Sequence, residues 1–480
     1  MDSRDTHFNV CLWTAQWISP EIINEIMLKV DDQIEESNRR NISLQLYRIV
    51  VEHASGVSTL HTDDPFLRIL GEKKNSSIRL SARAFRTLCK DFRITVLPHI
   101  CIFDQVGRMV DREHLESRRI LHILESIHCI DRVQENDEEM KQKISNANKL
   151  FEDGCYLEAA QSFSHLFFRW KMSSQISFNF GVTLQNLDEH YFSIPYMMRV
   201  IKMDDEDSVA HNVLKSICHS IEPQAVIRAY ENIVQECPHH VHAAHWLASL
   251  TNTAKTASPE YVQNVFDHLA DTFDDKLVNH LEYRVPWLLV DVLLKHEPKV
   301  ASQKLCILDV GCGTGLCGKL LRRFASRLIG VDLSSKMIWK ARATGVYDDL
   351  QETSLVPYLQ KQIPNGLQLI VAADVWIYVG VLEETFALCH NALENGGWLI
   401  FSIEVLSVGT DGVKLATSGR FQHSIAYITQ LSRQTGFRIV TQEPVLLRKE
   451  SLHAIEGYIF ILCKEWLAEC GDKEHLPSAK

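Results

Sequence analysis

The chain has 480 residues, 46% of them hydrophobic and 23% charged, with only 21 Gly and 13 Pro, a globular composition that excludes global disorder, collagen and low-complexity architecture. Its length exceeds what one hydrophobic core organises and predicts several domains. With 50 Lys and Arg against 61 Asp and Glu, the net charge of −11 offers no overall positive field, so nucleic acid is a disfavoured partner.

Met1-Asp2-Ser3-Arg4-Asp5 lacks the basic end and following apolar core of a secretory signal, and no apolar stretch approaches the roughly 20 residues that span a bilayer. The 13 Cys, an odd number without a Cys-x-x-Cys pair, read as reduced thiols. The expectation is a cytoplasmic chain with no membrane contact, no disulfide framework and no metal.

Residues 1–140 form an amino-terminal region without an assignable motif. Helices are expected over 21–34 and 113–127, with apolar runs at 94–97 and 99–103. Arg79, Arg83, Arg86, Lys90 and Arg93 recur at helical spacing and read as a solvated helix face.

Over 141–256 the pattern becomes helical and repetitive. Ala147, Gly181, Leu214 and Ala248 are spaced by 34, 33 and 34 residues, a period of paired-helix solenoids. Gly154-Cys155-Tyr156-Leu157-Glu158-Ala159 followed by Phe163 supplies a turn, a packing aromatic and a small residue, and resembles a tetratricopeptide repeat; later units are degenerate. His239, His240, His242 and His245 follow Pro238 and read as turn and cap chemistry, since no acid or Cys completes a coordination shell.

Ser258-Pro259-Glu260 is a helix start and opens a domain over 257–467, followed by a polar tail at 468–480. Short apolar strands then alternate with helical patterns, which predicts a doubly wound α/β sheet. Leu305 to Val310 is a buried-strand run that leads into Gly311-Cys312-Gly313-Thr314-Gly315 and a helix, the layout that lets a nucleotide approach backbone without a Cβ in the way. Three ligands compete for this turn. Gly313 to Lys319 nearly matches the phosphate loop, but Leu320 stands where Ser or Thr should hold Mg²⁺. Gly313 to Gly318 fits the dinucleotide spacing but starts two residues late. S-adenosylmethionine has a cationic ammonium and sulfonium and no phosphate; Asp309 complements the ammonium, and Asp332, 19 residues after Gly313 with Leu333 beside it, can accept both ribose hydroxyls.

These features resemble class I S-adenosylmethionine-dependent methyltransferases. Phe266-Asp267, Phe273-Asp274, Tyr283-Arg284-Val285-Pro286, Gly330-Val331-Asp332-Leu333-Ser334, Ala372-Ala373-Asp374-Val375 and Ser418-Gly419-Arg420-Phe421-Gln422-His423-Ser424 extend the likeness to predicted methyltransferases with amino-terminal tetratricopeptide repeats. The resemblance implies a seven-stranded Rossmann-like domain that holds S-adenosylmethionine with Asp309, Gly311, Cys312, Gly313, Thr314, Gly315, Asp332, Leu333 and Asp374. The family's acid for the adenine amino group falls near Ser354 here, with Glu352 as a substitute; Met337 and Trp339 are further adenine neighbours or core residues.

Asp374 and Tyr378 follow the fourth strand at the edge where open α/β sheets bind ligands, and are candidates to orient an acceptor or take its proton. Asp374-Val375-Trp376 lacks the paired prolines of amide and adenine nitrogen methylases. A glycine-rich flap over 407–424 presents Arg420 for an anionic group and His423 as a candidate base. Repeat stacks offer concave surfaces, so a protein or peptide acceptor leads. The alternatives are a small-molecule acid, favoured if Arg284 and Arg420 converge, and a catalytically silent scaffold.

Overall fold

In this computed structural model, residues 7–15, 43–51, 77–80, 99–103, 137–170, 173–274, 283–407, 409–450 and 453–465 are described. They fall into two units, Met1–His240 and Val241–Lys480.

In the first unit β1 (His7–Ala15) pairs in parallel with β2 (Ser43–Val51), which pairs in parallel with β3 (Ser77–Leu80); β4 (His99–Phe103) runs antiparallel on the other side of β1. Arg79 therefore sits on a strand, so the basic series does not begin on a helix. Its other members, and the helices expected over 21–34 and 113–127, lie outside the described residues.

Six helices follow: α1 (Asp137–Glu152), α2 (Tyr156–Arg169), α3 (Ser174–Asn186), α4 (His190–Met203), α5 (Ser208–Ser216) and α6 (Pro223–Glu236). Gly154 and Asp188, both at positive φ, turn the chain between α1 and α2 and between α3 and α4. Three residues of the 34-residue period, Ala147, Gly181 and Leu214, are packing points in this unit. Ala147 and Leu214 are buried, and a Cβ on Gly181 would fall 2.3 Å from the Met197 methyl, so its absence lets α3 and α4 approach. Phe167, Phe180 and Tyr196 fill the space between these helices, with Phe180 and Tyr196 centroids 4.5 Å apart.

The second unit starts with α7 (Val241–Thr251), α8 (Pro259–Leu269) and α9 (Val285–His296). The expected boundary at 257 thus falls between α7 and α8, inside this unit. Ser258 caps α8 as its sequence suggests, accepting the Tyr261 N–H at 3.1 Å with Pro259 in the first turn.

The sheet uses β5 (Leu305–Val310), β6 (Ala325–Asp332), β7 (Asp349–Glu352), β8 (Leu367–Ala372), β9 (Leu393–Glu404), β12 (Phe437–Glu450) and β13 (His453–Lys464) in the order β12-β13-β9-β8-β5-β6-β7. Strands β9 through β7 in this order are parallel; β13 is antiparallel to both its neighbours. Helices α10 (Leu316–Leu321), α11 (Ser335–Ala343), α12 (Leu355–Gln360), α13 (Trp376–Val379), α14 (Glu383–Ala392) and α15 (Ile425–Gln434) connect them. Trp376, Phe386, Phe401 and Phe460 pack one core, while Leu289, Leu293, Val300 and Phe324 pack another. Chain order reverses between β5 and β8, the switch point where this architecture opens a crevice at the carboxyl ends of its strands.

The sequence over 421–435 reads as a helix, but the helix begins only at Ile425. Phe421–His423 is strand β11, paired with β10 (Val413–Leu415), and Ser424 then caps α15 by accepting the Tyr427 N–H. Among the described residues, no helix is long and apolar enough to cross a membrane.

Candidate active site

The turn after β5 is built by glycines at positive φ: Gly311 at 59°, Gly313 at 54° and Gly315 at 91°. Asp332, at the end of β6, fixes it in place. Its Oδ2 accepts the Gly313 N–H and its Oδ1 the Ser334 N–H, both at 2.9 Å. Burial raises the Asp332 carboxyl above the usual range, and these backbone donors oppose the rise.

Beside the turn lies a cavity of about 370 Å³. Of the residues expected to hold the cofactor, Gly311, Cys312, Gly313, Thr314, Asp332, Leu333 and Asp374 line it. A Cβ on Gly313 would point toward Phe273, 3.8 Å away across the cavity, so glycine keeps the cradle open. Lys319 is exposed and outside the lining, which removes the cation a phosphate loop needs. At the far end the cavity reaches Thr353 and Ser354 at the tip of β7; Glu352 is exposed and outside the lining, Met337 is buried core and Trp339 is 68% exposed. Ser354, not Glu352, thus lines that end of the cavity.

Asp309 departs from expectation. It is 1% exposed, absent from the lining, and its Oδ2 accepts the Tyr347 hydroxyl at 2.6 Å. Burial pushes its carboxyl up to about 7. The strand end turns this side chain beneath the loop, so it braces the turn rather than meeting an ammonium group. Gly315 likewise faces Tyr347 and Thr344, and serves the turn rather than the cavity.

Helix α8 and the segment after it roof the crevice. Two Phe-Asp dipeptides, seven residues apart, do this together: Phe266 and Phe273 line the cavity, Asp267 accepts the Ser334 hydroxyl at 2.5 Å and Asp274 accepts the Thr314 hydroxyl at 2.5 Å. Each aromatic contributes wall, and the acid after it ties that wall to the loop.

Beyond β8, Asp374 (φ 54°), Tyr378 and Arg420 continue the lining. Asp374 Oδ1 accepts the Ser402 hydroxyl at 2.9 Å and Oδ2 accepts Arg448 Nη1 at 3.3 Å, while Arg448 Nη2 donates to Glu404 at 2.7 Å. Burial still raises the Asp374 carboxyl, with Arg448 opposing. Arg448 reaches inward through a bulge in β12 between Leu446 and Arg448, which breaks the alternation and buries both Leu447 and Arg448. The sequence shows only the first of three consecutive charges, Arg448-Lys449-Glu450, after an apolar run.

Two expected participants stand elsewhere. His423 is fully buried and outside the lining; its Nε2 donates to the Gly380 carbonyl at 2.7 Å, and burial lowers its imidazole to about 4. Pairing of β11 with β10 turns it into the core, so it is a structural residue. Arg284 is exposed beside α9 and does not converge with Arg420. The flap is also tethered, with Ser424 donating to Asp411 and Gly412 N–H returning to Ser424.

The sheet order, with the glycine turn braced by Asp332 at the carboxyl ends of its strands, defines the class: the second unit carries a class I S-adenosylmethionine-dependent methyltransferase domain. Residues 307–397 match the family model "Methyltransferase domain". Among curated relatives, the mitochondrial ubiquinone biosynthesis O-methyltransferase of Mus musculus is 27% identical over 214 residues, 41% of this chain and 56% of that protein. Methyltransferase-like protein 27 of Homo sapiens is 34% identical over 135 residues, 28% of this chain and 52% of that one. The chain thus spans little more than half the length of these relatives. Among solved structures, Burkholderia thailandensis 1,6-didemethyltoxoflavin-N1-methyltransferase, with bound 1,6-didemethyltoxoflavin and S-adenosylhomocysteine, aligns at TM-score 0.36 and 16% identity, over 44% of this chain and 92% of that one.

Proposed function

We propose that the chain transfers the methyl group of S-adenosylmethionine to a small-molecule acceptor. The carrying observation is one continuous cavity that runs from Ser354 and Asp332, past the glycine turn, to Asp374, Tyr378 and Arg420, with Phe266, Phe273 and Tyr283 in its walls. The first part suits a sulfonium nucleoside, with Asp332 and the loop backbone for its sugar and open glycines for close approach; the second suits an acceptor of limited size. The bound cofactor supplies an electrophilic methyl. The protein's share is to hold a nucleophile in line and keep water out: Asp374 and the Tyr378 hydroxyl present polar atoms for an acceptor hydroxyl or amine, and the aromatic walls orient its flat body. The similarity to ubiquinone biosynthesis O-methyltransferases agrees with a small acceptor.

A protein or peptide acceptor is the second reading, favoured by the helical array at 34-residue spacing with Gly154 at its turn, which we read as tetratricopeptide-like. Eight cysteines between Cys155 and Cys463 are free thiols, in keeping with the cytoplasmic chain we propose.

Calorimetry with S-adenosylmethionine, followed by incubation of the full chain with methyl-labelled cofactor and cell extract, tests these readings. Label in the small-molecule fraction is the expected result. Label in protein selects the second reading, binding without label makes the chain a scaffold, and no binding defeats the site.

A further inference from the structure

Arg420 stands at the end of the loop between β10 and β11, and that loop is held from outside by α7. Ser249 Oγ donates to the Ala416 carbonyl at 2.7 Å, His245 Nε2 donates to the Gly419 carbonyl at 2.9 Å, and the Leu415 N–H donates to Asn252 at 3.3 Å. Gly419 is at φ 80°, and a Cβ there would fall 2.7 Å from the Trp246 ring, so the loop and α7 are fitted to each other. His245 is itself fixed, its ring stacked on Tyr261 at 3.7 Å and 15°. Within the loop, Ala416 N–H to Arg420 O and Gly419 N–H to Ala416 O, both 2.9 Å, close the turn. The backbone of Arg420 is thereby set before any ligand arrives.

The side chain it carries reaches the acceptor end of the cavity, where Arg420 Nε lies 3.5 Å from the Tyr378 hydroxyl and Tyr378 stands edge-on to Phe266 at 5.1 Å. Arg448, the other guanidinium on this cavity, is bonded to the Asp374 and Glu404 carboxylates below. A planar guanidinium on a rigid base, beside the Tyr378 hydroxyl in a cavity walled by Phe266, is built to read a carboxylate on a flat body.

We propose that the methyl acceptor is a planar aromatic acid whose carboxylate is read by Arg420, and that α7, through His245, is the positioning element for that arginine. This rests on the small-acceptor reading above.

The test titrates benzoate and its neutral isostere benzamide into the full-length protein, with and without saturating S-adenosylhomocysteine. Benzoate is expected to bind about tenfold more tightly than benzamide, and Arg420→Gln to abolish the preference. His245→Ala should weaken benzoate severalfold with S-adenosylhomocysteine affinity intact, and His245→Gln, which keeps a donor for the Gly419 carbonyl, should restore it. Equal binding of the two probes to the native protein, or a preference that survives Arg420→Gln, overturns the proposal. So does a loss of S-adenosylhomocysteine binding in Arg420→Gln, because the guanidinium then serves the cofactor's own carboxylate. Parallel losses of both ligands in His245→Ala overturn the role of α7. Native protein that binds no S-adenosylhomocysteine but still prefers benzoate defeats the methyltransferase reading alone.

Discussion

The Tyr347 hydroxyl donates to Asp309 Oδ2 at 2.6 Å, and its ring lies where a Cβ on Gly318 would come within 2.3 Å of it. A Cβ on Gly330 would lie 2.9 Å from the same ring. Gly318, the last glycine of the apparent dinucleotide pattern, and Gly330 on β6 thus make room for Tyr347, which in turn satisfies a buried acid under the cofactor turn.

Gly318→Ala should therefore destabilise the protein although alanine is the better helix former. Relief of the glycine's helix cost is worth about 1 kcal/mol, whereas overpacking costs about 1–3 kcal/mol. Urea unfolding should show a net loss. In a Tyr347→Ala background the same substitution should be neutral or favourable, and a loss there as large as in the native sequence would contradict the packing described.

Asp309 gives the fold a pH dependence. With its folded carboxyl raised to about 7, the native state holds a proton that the unfolded state releases near about 4. Its contribution is complete below the unfolded value and is lost as pH rises to about 7, so the decline falls between those limits. Asp309→Asn should flatten the stability profile in that window, as measured by denaturant titration at half-unit steps.

Asp332 accepts from both Gly313 and Ser334, so Asp332→Asn is not conservative: one amide nitrogen would face an N–H donor. S-adenosylhomocysteine affinity should fall about tenfold or more. Asp332→Ala should do at least as much, and calorimetry showing native affinity in both would remove Asp332 from the site.

His423→Ala should cost about 2–4 kcal/mol through its buried bond and the void it leaves, while turnover per folded molecule stays near native. The imidazole, lowered to about 4, makes a contribution that is complete above the unfolded value near 6.5 and is lost as pH falls toward about 4. A base role would instead show as lost turnover in protein of native stability.

Arg448→Met should cost about 3–5 kcal/mol, because it leaves the Asp374 and Glu404 carboxylates buried without their shared cation. Adding Glu404→Gln should recover part of that loss. Additive losses in thermal melts would mean that the three charges are not coupled.

Local chemistry made the domain legible in the sequence. A strand followed by glycines, an acid at the end of the next strand and a Ser-Pro helix start act within a few residues, and Gly313, Asp332 and Ser258 stand where their spacing places them. What the chain does not encode locally is which way a side chain at a strand end turns. Asp309 and Asp374 end neighbouring strands, yet one is sealed under Tyr347 and the other lines the cavity with Arg448. Partners from 38 and 74 residues away make that difference, and the Arg448 contact depends on a bulge. His423 was decided by the pairing of β10 with β11, and Arg420 by a helix more than 160 residues earlier in the chain. Spacing fixes periodic and turn structure because those arise from neighbours in sequence; long-range packing selects which polar side chains meet a ligand and which are spent holding the fold.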